Sequence, residues 1–136
     1  MPKLTQQEKN MIEKIASSAA PEAIGPYAQG VKLGNLVFTS GQIALDPKTG
    51  LLAENNITVQ TEQVMQNLSA VLLSAGTDFS HVVKTTCYLT DMANFAEFNA
   101  VYGKYITSAA RSCVAVAALP KGALVEVDLV AEIENR

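Results

Sequence analysis

Ala110-Arg111-Ser112-Cys113-Val114-Ala115-Val116 is the run on which the reading of this chain turns. It is small and apolar, as a buried strand is, with one arginine at its head. Arginine stays charged in proteins, and its planar fork matches a carboxylate or a phosphate. Beside Ser112 and Cys113 it is either a substrate anchor or an exposed strand-end charge, because arginine is a mostly exposed residue type. The flanking sequence has to decide.

Downstream, Leu119-Pro120-Lys121-Gly122 breaks the chain before a last strand, Leu124 to Ile133. There Val125, Val127, Leu129, Ala131 and Ile133 form an apolar face, with Glu126, Asp128 and Glu132 on the other. Upstream, Asn94 is placed to cap a helix, with Glu97 in capping-box position. Phe95, Phe98, Val101, Tyr102 and Tyr105 make its buried stripe. Asn99 lies off that stripe, facing solvent or a site. Before it, Val82 to Leu89 is a β-branched strand. Val83, Thr85, Cys87 and Leu89 share one face; Lys84, Thr86 and Tyr88 share the other.

Thr58 to Ala75 is the clearest helix. Val64, Leu68, Val71, Leu72 and Ala75 recur at helical spacing, Thr58 is placed as N-cap, and Gly76 ends it. Gln29 to Leu33 and Leu36 to Ser40 are two strands joined by the hairpin signal Gly34-Asn35. Ser40-Gly41-Gln42 closes the second, where a glycine permits a bulge, the close approach of a ligand, or a simple strand exit. Gly25-Pro26 is a rigid bend that aims Tyr27, either to pack on the turn or to line a site. Lys14 to Ala19 reads as an edge strand. Residues 1–13 read as a polar extension of one or two helical turns, and residues 14–136 as a single domain.

The expected fold is α+β, with two helices packed on one face of a sheet. The other face gathers Lys84, Thr86, Tyr88, Glu126 and Asp128, and Arg111 and Cys113 are expected to join it. It is too mixed for a core and too aliphatic for bare solvent, so it is expected to pack on other subunits with polar clefts between them.

Composition bounds the function. With 49% apolar residues in 136, the chain can bury a normal core. A net charge of −3 without a Lys/Arg cluster weighs against duplex nucleic acid or an anionic membrane surface. No run reaches the roughly 20 apolar residues of a membrane span. No signal peptide is evident, and Cys87 and Cys113 sit in apolar runs as small hydrophobes. The expected compartment is therefore the cytoplasm. One histidine, His81, and two separated cysteines give no metal-ligand spacing, and His81 reads as a surface residue. There is no Ser-His-Asp set, Walker loop or dinucleotide fingerprint. Glu126 is either an ordinary solvated residue or a partly desolvated carboxylate suited to proton transfer.

Several motifs together resemble one family. Ile24-Gly25-Pro26-Tyr27, Thr39-Ser40-Gly41-Gln42-Ile43, Val83-Lys84-Thr85-Thr86, Phe98-Asn99, Ala110-Arg111-Ser112-Cys113-Val114, Leu119-Pro120-Lys121-Gly122 and Val125-Glu126-Val127 are similar, in order, to the RidA (YjgF) family of reactive intermediate deaminases. The resemblance implies a chorismate-mutase-like mixed sheet, with the last strand antiparallel inside it rather than in a hairpin with the Arg111 strand. It implies a homotrimer with ligand sites between subunits. It implies hydrolysis of enamines and imines (2-aminoacrylate, 2-iminopropanoate, 2-iminobutanoate) to 2-oxo acids and ammonia, with no metal or cofactor. In that scheme Arg111 clamps the substrate carboxylate and Glu126 positions or activates water. Tyr27, Ser40, the Gly41 backbone, Asn99 and the Cys113 backbone line the pocket. One departure is the loop Tyr105-Ile106-Thr107-Ser108-Ala109-Ala110, shorter than is usual in the family and without its proline. Two alternatives stand beside the enzyme: a non-catalytic regulatory trimer that binds small carboxylates, and a single-stranded RNA endonuclease, against which the acidic balance counts.

Overall fold

The computed structural model describes Lys3, Thr5, Gln6 and residues 11–134. Most of the expected N-terminal extension lies outside the described residues. Its last part already belongs to the sheet, because the first strand, β1 (Ile12–Ile15), starts before Lys14 and ends well before Ala19.

Six strands form one sheet in the order β1-β2-β3-β6-β4-β5. β2 (Gly30–Leu33) and β3 (Leu36–Thr39) are the expected hairpin. β6 (Val125–Glu132) lies between β3 and β4 (Val82–Leu89), antiparallel to both. β5 (Ala110–Ala115) runs parallel to β4 on the outer edge. Chain order alone would pair the last two strands. Instead the chain leaves β5, crosses β4 and returns inside the sheet, as the family resemblance implies.

α1 (Ile57–Ala75) and α2 (Phe95–Tyr102) are the two helices of this α+β fold. The cap of α1 is Asn56, not Thr58: the Asn56 side chain accepts from Val59 N–H from an extended backbone, while Thr58 already lies inside the helix. Gly76 ends it in the left-handed conformation at φ 88°. The expected capping box of α2 is absent. Asn94 makes no side-chain cap bond, because it ends a short 3₁₀ turn whose own cap is Asp91.

The core lies between α1 and one sheet face. Val64, Leu68, Val71 and Leu72 of α1 are buried with Val37, Leu89, Val125, Val127, Leu129 and Ala131 of the strands, and Phe98 of α2 joins them. Each of these valine, leucine and phenylalanine side chains contributes about 1.5–3 kcal/mol by leaving water. Val83 was expected in this face but is 50% exposed, because the register slips between Val82 and Lys84.

The register also corrects the placement of Arg111. Paired residues share a face, and β5 sets Arg111 beside Thr85 and Cys113 beside Cys87. Thr85 and Cys87 are fully buried toward the helices. Arg111 and Cys113 are thus on the helix side, away from Tyr88 and Glu126. Ser112 takes the open face instead, where its hydroxyl accepts from Lys84 Nζ at 3.1 Å.

Candidate active site

The candidate residues fall into two separate groups of side chains. The first surrounds Arg111. α2 presents Phe95, Asn99 and Tyr102 along one face. Arg111 Nη1 donates to Asn99 Oδ1 at 2.7 Å. The guanidinium carbon lies 5.4 Å from the Phe95 ring centroid and 4.9 Å from that of Tyr102. Tyr102 is itself fixed by a 2.7 Å hydrogen bond between its hydroxyl and Thr85. The fork is held by two rings and one amide, and no carboxylate among the described residues forms an ion pair with it. A planar cation so held is prepared for an anion.

Cys113 sits half-buried in this group. Burial pushes its thiol up, with Arg111 opposing in part. Burial, then the neighbouring Cys113, pushes Cys87 to about 12. Neither is a thiolate at neutral pH, which leaves both as small hydrophobes.

The second group lines a cavity of about 370 Å³ that includes Ile24, Tyr27, Gly41, Lys121 and Glu126. Backbone bonds between Gln42 and Val127, at 2.9 and 3.2 Å, bring Gly41 against Glu126. The approach requires glycine: a Cβ at position 41 would fall 2.4 Å from Glu126 Oε2. The bend before Tyr27 is closed by its N–H donating to Gly25 C=O at 2.9 Å, with Gly25 at φ 135°. Buried Gln29 anchors the adjoining loop, accepting from Ser17 N–H and donating to the carbonyls of Ser17, Ala20 and Pro21. Desolvation, then the nearby Asp128, raises the Glu126 carboxyl above its ordinary value.

Ser40 does not line this cavity. Its hydroxyl donates to Ala28 C=O at 2.6 Å and ties the strand end to the Tyr27 loop. His81 lies at the surface, with Nδ1 3.3 Å from Asp78 and Nε2 3.4 Å from Glu134. Among the described residues no group of three or more His, Cys, Asp or Glu is arranged to hold a metal.

The structure therefore brings Arg111, Asn99 and Cys113 together, and Tyr27, Gly41 and Glu126 together, but does not bring the two groups together within the chain. Sequence reasoning missed Phe95 and Tyr102 as the cradle of Arg111. Their spacing from Asn99 on one helix was the available signal. It also missed Lys121, which lines the cavity from a turn in which it adopts φ 59°.

The chain matches the model of a family described as Endoribonuclease L-PSP over residues 17–133. The 2-iminobutanoate/2-iminopropanoate deaminase of Salmonella typhimurium is 45% identical over 126 residues, spanning 89% of this chain and 98% of that protein. The crystal structure of YyfA, a Rid-family protein of Yersinia pestis, superposes with a TM-score of 0.88 and 44% identity, over 90% of this chain and 100% of the other. TdcF of Escherichia coli, solved with bound serine, superposes with a TM-score of 0.86 and 38% identity, over 90% and 99%. Among the described residues no helix is long and apolar enough to cross a membrane.

Proposed function

Since this chain belongs to the RidA (YjgF) family, the family of the Endoribonuclease L-PSP model, we propose that it hydrolyses small 2-imino acids to 2-oxo acids and ammonia. The observation that carries this reading is Glu126, partly desolvated and pressed on Gly41 at the wall of a cavity. A carboxyl raised above its ordinary value by burial is a better proton acceptor than a solvated one, and can return that proton within one cycle.

The site is composite. Arg111 of one protomer clamps the substrate carboxylate, and Glu126 and Tyr27 of the next approach its C=N bond across the interface of a homotrimer. The half-exposed open face, with Phe38 and Val114 at 38% and 45% exposure, is the surface such an assembly covers. The serine found in TdcF is also an α-carboxylate ligand, which supports Arg111 in this role.

As water adds to the imine carbon, Glu126 takes one of its protons and passes it to the nitrogen, which gives the carbinolamine. Glu126 then takes the proton of the new hydroxyl and delivers it to the amine nitrogen as the C=O bond forms and the C–N bond breaks. One water is consumed, one ammonia leaves, and the 2-oxo acid remains. Arg111 and Asn99 hold the carboxylate throughout, so the reacting carbon stays in line with Glu126.

A threonine dehydratase supplies the imine in a coupled assay that follows 2-oxobutanoate. Added protein is expected to accelerate release, and Arg111→Ala to abolish the gain. Equal rates for wild type and variant would overturn the role of Arg111. Bound carboxylate without acceleration would identify a regulatory trimer. RNA cleavage is disfavoured by the acidic pair Glu126 and Asp128 on the open face, which repels a phosphate backbone.

A further inference from the structure

The open face carries a second carboxylate that the reaction above leaves unassigned. Asp128 follows Glu126 by two positions on β6, so both side chains project from the same face. Tyr88 is the cross-strand partner of Glu126 on β4. Its hydroxyl reaches diagonally and donates to Asp128 Oδ2 at 3.1 Å. The three side chains form a triangle, each half-buried.

Of two carboxylates on one face of one strand, one takes the first proton to arrive. The donor decides which. Tyr88 bonds Asp128, and among the described contacts no donor reaches Glu126. A hydrogen bond to a carboxylate favours its ionised form. Of the remaining charges, Lys84 works in the same direction, and Lys121 in the cavity works against it. Lys84 on β4 lies near Asp128 and favours its charge. Around Glu126 the cavity adds Glu22, Tyr27 and Lys121. Glu132 is farther along β6, paired across from Leu36. The side chains that β3 and β5 contribute here, Phe38, Ser112 and Val114, are uncharged.

We propose that Tyr88 and Asp128 are positioning residues for Glu126: the Tyr88 hydroxyl keeps Asp128 as the carboxylate, and the proton shared by the pair resides on Glu126 beside the cavity. The pair thereby divides its work. Asp128 is a fixed charge, and Glu126 is the group that both accepts and returns a proton. Burial raises both carboxyls, Tyr88 and Lys84 hold Asp128 back, and Asp128 lifts Glu126 further.

This inference rests on the reading of Glu126 as the proton-transfer group, but its test does not need turnover. Carboxyl-labelled glutamate and aspartate are followed by carbon NMR across pH in the full chain, with Glu126→Gln to assign the signal. Glu126 is expected to take the first proton in the wild type. Asp128→Asn is expected to lower the Glu126 midpoint, and Tyr88→Phe to raise that of Asp128. A Glu126 midpoint unmoved by Asp128→Asn, or a first proton on Asp128, would overturn the inference whatever the activity. Expected midpoints in a protein that never accelerates imine hydrolysis would leave the inference standing and remove the deaminase reading alone. In an active protein, Asp128→Asn also moves the acid limb of the kcat/KM profile to lower pH.

Discussion

Arg111 and Glu126 lie on opposite faces of one sheet. Arg111 pairs with buried Thr85, on the helix side, and Glu126 pairs with Tyr88, on the open side. Neighbouring positions on β4 point to opposite faces, so the three-residue step from Thr85 to Tyr88 separates the two groups by the thickness of the sheet. In the proposed composite site, a ligand that needs both is served by two copies of the chain.

The Arg111 half-site depends on a fork rather than a charge. Arg111→Lys keeps the cation but loses the bidentate plane and its contact with Phe95 and Tyr102. The expected result is a fall in kcat/KM of roughly a hundredfold or more, with the unfolding transition little changed. Steady-state kinetics and thermal unfolding of the same preparation check this.

Much of the scaffold behind these residues was legible. The stripe Val64, Leu68, Val71, Leu72 and Ala75 and the alternation of β6 are local periodicities, and local periodicity survives folding. Register is not local. Whether Arg111 faces the helices depends on its pairing with Thr85, a choice between two settings one residue apart that a single strand does not encode. The slip that exposes Val83 is likewise set by β6. Asn56 and Thr58 are both good capping types, and the backbone angle at Asn56 decided between them. Asn99 looked undecided because its partner lies on another strand; once Arg111 is placed, Phe95, Asn99 and Tyr102 read as one cradle.

Gly41 is expected to be a position where activity and stability separate. Alanine there places a methyl group 2.4 Å from Glu126 Oε2, so the carboxylate must move while the strand pairing of Gln42 with Val127 remains. A displacement of about 1 Å at a reacting group costs up to roughly a hundredfold in rate. Gly41→Ala should therefore lose most of kcat at nearly unchanged thermal stability. Equal losses of both would show that position 41 matters for folding alone.

The raised carboxyls make a prediction about stability against pH. Glu126 is pushed above its ordinary value, so the folded chain binds its proton more tightly than the unfolded chain does. Across the window from the ordinary value up to the raised one, stability falls as pH rises. Glu62 runs the other way. The Tyr105 hydroxyl donates to it at 2.5 Å and lowers it, so its contribution is present above the ordinary value and is lost as pH falls through the lowered one. Glu126→Gln removes the first effect and leaves the second. Its melting temperature should exceed that of the wild type at about pH 8, and the difference should shrink as pH falls below the ordinary glutamate value, where Glu126 is protonated in both states. A gain independent of pH would contradict the assignment.

The central claim is that each site takes Arg111 from one protomer and Glu126 from another. Subunit complementation tests it most directly. Arg111→Ala and Glu126→Gln are each expected to be inactive alone. Coexpressed in equal amounts and assembled at random, they should regain about a quarter of wild-type activity, because that share of interfaces unites an intact Arg111 with an intact Glu126. A mixture that stays as inactive as its two components would contradict the composite site.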